Sequence, residues 1–181
     1  MVQNRVVTQN LPKTDARPGS GISYQAVIPL AIKGCHHLRL AISTTANGLS
    51  GIDFVQDIPF QDPETSLARE VVWQLENYFQ DPGTQFDLPL DLSGTDFQQR
   101  LWLALCEVPV GSVDTYGQLA TRLNSGAQAI GQACRRNPVP LVVPCHRIVS
   151  RQGMGGYAGQ ITGEKLQIKQ ALLAHEGMSR V

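Results

Sequence analysis

Thr115-Tyr116-Gly117-Gln118-Leu119-Ala120-Thr121-Arg122-Leu123-Asn124-Ser125-Gly126-Ala127-Gln128-Ala129-Ile130-Gly131-Gln132-Ala133-Cys134-Arg135-Arg136 carries the architecture of the chain. It reads as two short helices, 115–123 and 127–136, joined by Asn124-Ser125-Gly126, which is the spacing of a helix-turn-helix. Helical hairpins also occur in ordinary bundles, so the spacing alone does not establish nucleic-acid binding. The second helix is more telling. Ala127, Ala129, Gly131 and Ala133 leave it little bulk on several sides, which allows either tight packing against a neighbouring helix or close approach to another surface. Arg135 and Arg136 at its end favour phosphates as that surface.

Charge supports the same direction once it is resolved along the chain. The 181 residues carry 15 Lys+Arg and 15 Asp+Glu, and a neutral total at first excludes a polyanionic partner. Residues 1–88 hold 6 basic and 9 acidic side chains, net −3, and residues 89–181 hold 9 and 6, net +3. Between Thr115 and Gly163 stand Arg122, Arg135, Arg136, Arg147 and Arg151, with no Asp, Glu or Lys. An arginine-only run is read here as a phosphate-facing surface in preference to a plain solvated one.

Upstream, Tyr24–Ile32 and His37–Ser43 are strand-like, the second alternating with Leu38, Leu40 and Ile42 on one face. Pro29 makes the first an edge or bulged strand. Asn47-Gly48 signals a type I′ hairpin turn into Leu49–Val55. Leu67, Val71, Leu75 and Phe79 repeat every four residues, which predicts a helix over 65–79. Residues 85–93, with Pro89 and alternating Asp and Leu, read as an extended linker. Ser93 or Thr95 caps a further helix bearing Phe97, Leu101 and Leu105, and a last helix over 163–175 is capped by Thr162 and stopped by Gly177. The expected domains are a loose tail over 1–21, an N-terminal α/β unit over 22–88 and a mainly helical C-terminal unit over 89–181, an α+β protein overall. With 42% hydrophobic residues, no long apolar run and no charged-then-apolar leader, the expectation is a cytoplasmic protein without membrane contact.

The four cysteines, Cys35, Cys106, Cys134 and Cys145, lie far apart and suit reduced thiols. Cys145 has company: Pro144 restrains the chain before it, and His146 and Arg147 follow. A thiol becomes nucleophilic as thiolate, which a nearby base or positive field promotes. Neighbouring side chains on a strand point apart, so Cys145 and His146 cooperate only if the chain turns here or a water bridges them. A buried structural cysteine is the alternative on these residues alone. The other three cysteines are assigned to packing. Cys35, His36 and His37 cluster, but adjacent ligands lack zinc spacing and no fourth ligand is evident, so no metal is expected.

The run Asn137-Pro138-Val139-Pro140-Leu141-Val142-Val143-Pro144-Cys145-His146-Arg147-Ile148-Val149 resembles the active-site signature of the O6-alkylguanine-DNA alkyltransferases. The resemblance continues upstream through Phe86–Leu92, Gly94–Arg100, Val108–Gly111 and Thr115–Ala120. Downstream it covers Gly156–Gly159 and Leu172–Gly177, in all about half the chain. It implies direct-reversal repair. Cys145 would take the alkyl group from guanine O6, and also from O4-alkylthymine, and keep it as a thioether, once per molecule and without a cofactor. His146 would relay the thiol proton through a water, oriented by Glu176, with the carboxylate favouring the protonated imidazole. Asn137 would hold the turn before the site. Tyr116 would donate to the guanine ring and help turn the flipped nucleotide, and the carbonyls near Cys145 and Ile148 with the Tyr157-Ala158-Gly159 loop would line the base pocket. The helix 127–136 would enter the minor groove of double-stranded DNA, with Ala129 and Gly131 in contact and Arg135 and Arg136 on phosphates.

The resemblance also implies a ribonuclease-H-like N-terminal domain, a winged-helix-like C-terminal domain and a monomer. One position departs: where the family places an arginine that replaces the extruded nucleotide, this chain has Gln128, and the turn before it is shortened. Weaker duplex binding or slower flipping follows as an expectation. Two other classes compete. Alkyltransferase-like lesion-recognition proteins carry tryptophan in place of the cysteine, against Cys145; a Cys-His hydrolase would turn over repeatedly and leaves the small-residue helix unexplained.

Overall fold

Antiparallel pairing begins where alternation is cleanest. In the computed structural model, which describes residues 23–158, 160 and 162–178, β1 (Ala26–Pro29) pairs with β2 (Arg39–Thr44), and β2 pairs with β3 (Leu49–Val55). The sheet order is β1-β2-β3, so Pro29 does lie on an edge strand. The hairpin at Asn47-Gly48 forms, but neither residue has a positive φ, so the turn is not type I′. Glycine serves another purpose here. A Cβ on Gly48 would lie 2.5 Å from the Pro89 carbonyl oxygen.

That close approach corrects the expected linker. Leu49 N–H donates to the Pro89 carbonyl, Asp91 N–H donates to the Leu49 carbonyl, and Leu88, Leu90 and Leu92 are buried. Residues 89–94 therefore belong with the strands. Two compact units result: the first runs to Ala31 and then over His36–Gly94, and the second takes Ile32–Cys35 and everything from Thr95. The unit boundary thus falls after Gly94 instead of after residue 88. The expected tail over 1–21 lies outside the described residues.

The first unit is completed by α1 (Ser66–Gln80), whose cap Thr65 accepts from Ala68 N–H at 3.0 Å. Its buried face is Ala68, Val71, Val72, Gln74, Leu75 and Tyr78, rotated from the predicted stripe so that Leu67 and Phe79 are only half-buried. Gln74 can sit inside because it exchanges two hydrogen bonds with the Asp87 backbone, at 2.8 and 3.1 Å.

In the second unit α2 (Asp96–Cys106) and α3 (Tyr116–Arg122) start with full capping boxes, Thr95 with Gln98 and Thr115 with Gln118. Between them β4 (Asp114–Thr115) pairs in parallel with β5 (Ile148–Val149). Asn124, at φ 49, makes the turn after α3, and Gly126 starts α4 (Ala127–Arg135). Leu119, Ala120, Ile130 and Ala133 form the apolar seam of the helix-turn-helix, and Trp102 Nε1 ties α2 to α4 by donating to the Ala133 carbonyl at 3.1 Å. A single 3-10 turn, Cys145–Arg147, precedes β5. The last helix, α5 (Glu164–His175), has Gly163 as its cap with no side-chain bond, so the expected Thr162 cap does not form. Glu176 and then Gly177, at φ 86, close it. The α+β class holds, while the ribonuclease-H-like and winged-helix-like details stay with the family resemblance. No helix among the described residues is long and apolar enough to cross a membrane.

Candidate active site

The 3-10 turn settles the question the sequence left open about Cys145 and His146: the chain turns there. Arg147 N–H donates to the Pro144 carbonyl at 3.0 Å, and the side chains of all three turn residues are carried into the interior. Asn137, just past α4, fastens the turn. Its Nδ2 donates to the Val143 carbonyl at 2.7 Å and to Cys145 Sγ at 3.1 Å, while its Oδ1 accepts from Val139 N–H at 3.1 Å. Burial pushes the Cys145 thiol up; hydrogen bonds from Asn137 and Tyr157 and the charge of Lys169 pull against that without reversing it. At rest the sulfur is a thiol.

Behind it lies a buried ionic cluster. Glu176 Oε1 stands 2.8 Å from His146 Nε2 and accepts Arg147 Nη2 at 2.9 Å, and Oε2 accepts Arg147 Nε at 3.0 Å. Arg147 Nη1 donates to the Val108 carbonyl. Burial raises the Glu176 carboxyl, but the bonds and charges of His146 and Arg147 outweigh it and bring it to about 2. The carboxylate is therefore ionised and can only accept, so His146 Nε2 carries the proton and Nδ1 presents a lone pair. Nδ1 is buried with no partner among the described residues.

Two expectations change here. Glu176 does favour the imidazolium, as expected of a carboxylate beside it, but burial outweighs that pull and, with the charges of Arg147 and Lys169, holds the His146 pKa below the usual histidine value. The neutral ring is the form equipped to take a proton. Arg147 was counted with the phosphate-facing arginines, but it is 7% exposed and its charge is spent on Glu176. Arg122 lies 3.8 Å from both Glu107 and Asp114. Of the five arginines in that run, Arg135, Arg136 and Arg151 are exposed and form no ion pair among the described residues.

Cys145 opens into a cleft of about 320 Å³ between α4 and the loop after β5. Of the residues expected at the site, Tyr116, Gln128, Gly131, Arg135, Tyr157 and Ala158 line it with Cys145. His146, Asn137 and Glu176 stand behind the thiol, and Ile148 is fully buried. Ala129 and Arg136 are exposed on α4 without bordering the cleft, and Gly159 lies outside the described residues. Cys134, assigned to packing, in fact lines the same cleft, and burial followed by the charge of Cys145 pushes its thiol far up.

Tyr116 is held from three sides. Its hydroxyl donates to the Gly156 carbonyl at 3.0 Å, a Cβ on Gly131 would lie in ordinary contact with its Cε1 at 4.0 Å, and Gly155 passes so close that a Cβ there would meet Tyr116 Cε2 at 3.2 Å. Burial, with the Cys134 and Cys145 charges, keeps its hydroxyl protonated. Sequence reasoning missed Lys169, which is fully buried on α5. Its Nζ donates to the carbonyls of Ile148 at 2.6 Å, Met154 at 2.7 Å and Gly156 at 3.2 Å, binding the loop wall to the helix. Burial lowers its pKa to about 8. The available signal was spacing: Lys169 falls three and four residues before the buried Leu172 and Leu173, on the apolar side of its helix. Among the described residues no three His, Cys, Asp or Glu side chains gather as a metal-holding group.

Three comparisons bear on the chain. Residues 96–178 match the family described as 6-O-methylguanine DNA methyltransferase, DNA binding domain. A methylated-DNA–protein-cysteine methyltransferase of Mycobacterium leprae is 43% identical over 100 residues, 54% of this chain and 61% of that protein, so the matched part spans about three fifths of that relative. The protein of that name from Methanosarcina barkeri is 36% identical over 146 residues, 76% of this chain and 89% of the relative. Among solved structures, Mycobacterium tuberculosis OGT in complex with DNA superimposes with a TM-score of 0.65 at 31% identity, covering 87% of this chain and 94% of that one.

Proposed function

Because the chain belongs to the O6-methylguanine-DNA methyltransferase family, we propose that it repairs alkylated DNA by moving the alkyl group from guanine O6, and from O4-alkylthymine, onto Cys145. The observation that carries the reading is the cleft itself: a thiol at its floor, with a neutral histidine and an ionised glutamate behind it.

The alkylated base, extruded from the duplex, enters the cleft beside Tyr116, because O6 is out of reach inside the stack. The Cys145 proton passes by way of a water to His146 Nδ1, and Glu176 stabilises the imidazolium that forms. The thiolate attacks the alkyl carbon in line. A carbon–sulfur bond forms, the carbon–O6 bond breaks, and its electron pair goes to the guanine, which takes up a proton. Asn137 steadies the sulfur through the change, and no cofactor takes part. A thioether has no hydrolytic exit, so each molecule acts once. The exposed face of α4, with Ala129 and Gly131 giving room and Arg135 and Arg136 on phosphates, serves the minor groove. The protein acts as a monomer in the cytoplasm, where its four free cysteines suit a reducing medium.

Mass spectrometry after incubation with an O6-methylguanine duplex is the direct test. The expected product carries one methyl on Cys145, with the methyl absent from the Cys145→Ala variant. Retained DNA binding with no adduct would instead place the chain with the lesion-recognition proteins.

A further inference from the structure

The thiol that the alkyl-transfer chemistry leaves unused lies beside the one it uses. Of the described residues that line the cleft, Cys134, Cys145 and Tyr157 are the buried ones, so these three make its floor and the others its rim. Cys134 stands in the last turn of α4, and one residue fastens it to Cys145. Asn137 N–H donates to the Cys134 carbonyl at 3.1 Å, while Asn137 Nδ2 donates to Cys145 Sγ at 3.1 Å. The Tyr116 hydroxyl and the Lys169 ammonium each feel the charge of both thiols, which sets the two sulfurs around one small region, because such fields fade with distance. The other two cysteines stand apart. Neither Cys35 nor Cys106 lines the cleft, and Cys106 Sγ is turned to the Val142 carbonyl at 3.9 Å.

We propose that Cys134 and Cys145 join in a disulfide when the unused protein meets hydrogen peroxide, and that this bridge keeps Cys145 in a recoverable form. The inference goes beyond the alkyl-transfer reading and borrows only its proton route. The Cys145 proton passes by way of a water to His146, and the sulfur attacks one peroxide oxygen. The O–O bond breaks, and the departing hydroxide takes the proton back and leaves as water, so the sulfur is oxidised to sulfenic acid and the peroxide is reduced. The Cys134 sulfur then attacks the sulfenic sulfur. A sulfur–sulfur bond forms, the sulfur–oxygen bond breaks, and the released hydroxide takes the Cys134 proton as a second water. Two thiols and one peroxide thus give one disulfide and two waters. The order of events suits the site: burial and then the charge of Cys145 hold Cys134 as a thiol, and the second obstacle goes once Cys145 is a neutral sulfenic acid. In a protein that acts once, an over-oxidised sulfur is a molecule lost. Sulfinic acid has no general way back, whereas a dithiol reopens a disulfide.

The experiment exposes the reduced full chain to hydrogen peroxide without DNA, then digests it without reductant and maps the peptides by mass spectrometry. The expected product is a peptide pair joined through Cys134 and Cys145 and lighter by two hydrogens, with Cys35 and Cys106 still reduced. Methyl transfer from an O6-methylguanine duplex, taken relative to each protein's own rate before oxidation, should be lost in the wild-type protein and return with dithiothreitol. In Cys134→Ser and Cys134→Ala, at an exposure long enough to carry their Cys145 to sulfinic acid, dithiothreitol should restore roughly tenfold less of the starting rate than in the wild type. Oxygen added to Cys145 with no link to Cys134, or variants that recover as fully as the wild type, overturns the proposal and leaves the proposed function intact. A Cys134–Cys145 link in a protein whose reduced form takes no methyl defeats the proposed function and supports this inference on the mass alone.

Discussion

The wall behind Cys145 and the outer face of α4 border one cleft, yet they are built on opposite rules. Behind the thiol, Glu176, Arg147 and Lys169 are buried, and each is committed to named partners at 2.6 to 3.2 Å. On α4, Gln128 and Arg135 are exposed and hold no side-chain partner among the described residues. Side chains of the first kind set protonation states, because burial magnifies every charge they meet. Those of the second kind lose nothing inside the protein when they bind something outside it, so they are fitted for recognition.

Breaking the buried side should produce the larger effects. Glu176→Gln leaves the Arg147 guanidinium buried without its carboxylate and is expected to lower stability by about 3–5 kcal/mol. It should also slow alkyl transfer by roughly a hundredfold, since His146 loses the negative charge that stabilises its imidazolium. Denaturant melts paired with single-turnover rates check this, and a variant as stable as the parent would break the comparison. Acid probes the same cluster without mutation. The Glu176 carboxyl is held at about 2, below the ordinary glutamate range, so the stability it contributes is complete above the unfolded value near 4.3 and is lost as pH falls through about 2. The loss in acid should shrink in Glu176→Gln.

Gly155→Ala tests the loop wall. Its φ of +67 and a Cβ 3.0 Å from Ser150 N predict a cost of about 1–3 kcal/mol, with slower transfer as Tyr116 is displaced. At the exposed end of the scale, Arg135→Ala and Arg136→Ala should each change stability by less than about 0.5 kcal/mol. Each should reduce the slope of log affinity against log salt by about 0.9 for duplex DNA. A loss of stability comparable to that of Glu176→Gln would erase the distinction between the two regions.

What the sequence disclosed follows the same division. Local chemistry was legible: helices were expected to begin at Thr65 and Thr115, which do cap them, Thr95 caps α2 as one of its two candidates although Thr162 does not cap α5, and Asn124-Ser125-Gly126 makes the turn before α4. Cys145 and His146 stood out because they are neighbours in the chain. Partnerships between distant residues were not legible. Arg147 looked like surface charge because Glu176 is 29 residues away, and Cys134 looked like packing because nothing in its neighbourhood announces a cleft. Residues 89–91 looked like a linker because their partner, Leu49, belongs to a different element. Gly48 drew attention for a type I′ geometry it does not adopt, when its lack of a side chain lets that segment come close.

The Gly156 carbonyl, shared by the Tyr116 hydroxyl and the Lys169 ammonium, works like a gate hung on two pins. A ligand that borrows the tyrosine withdraws one pin, and the second stays seated in α5. The wall of the cleft then keeps its shape while the tyrosine changes partners, so the swap is local and reversible and does not have to melt the loop.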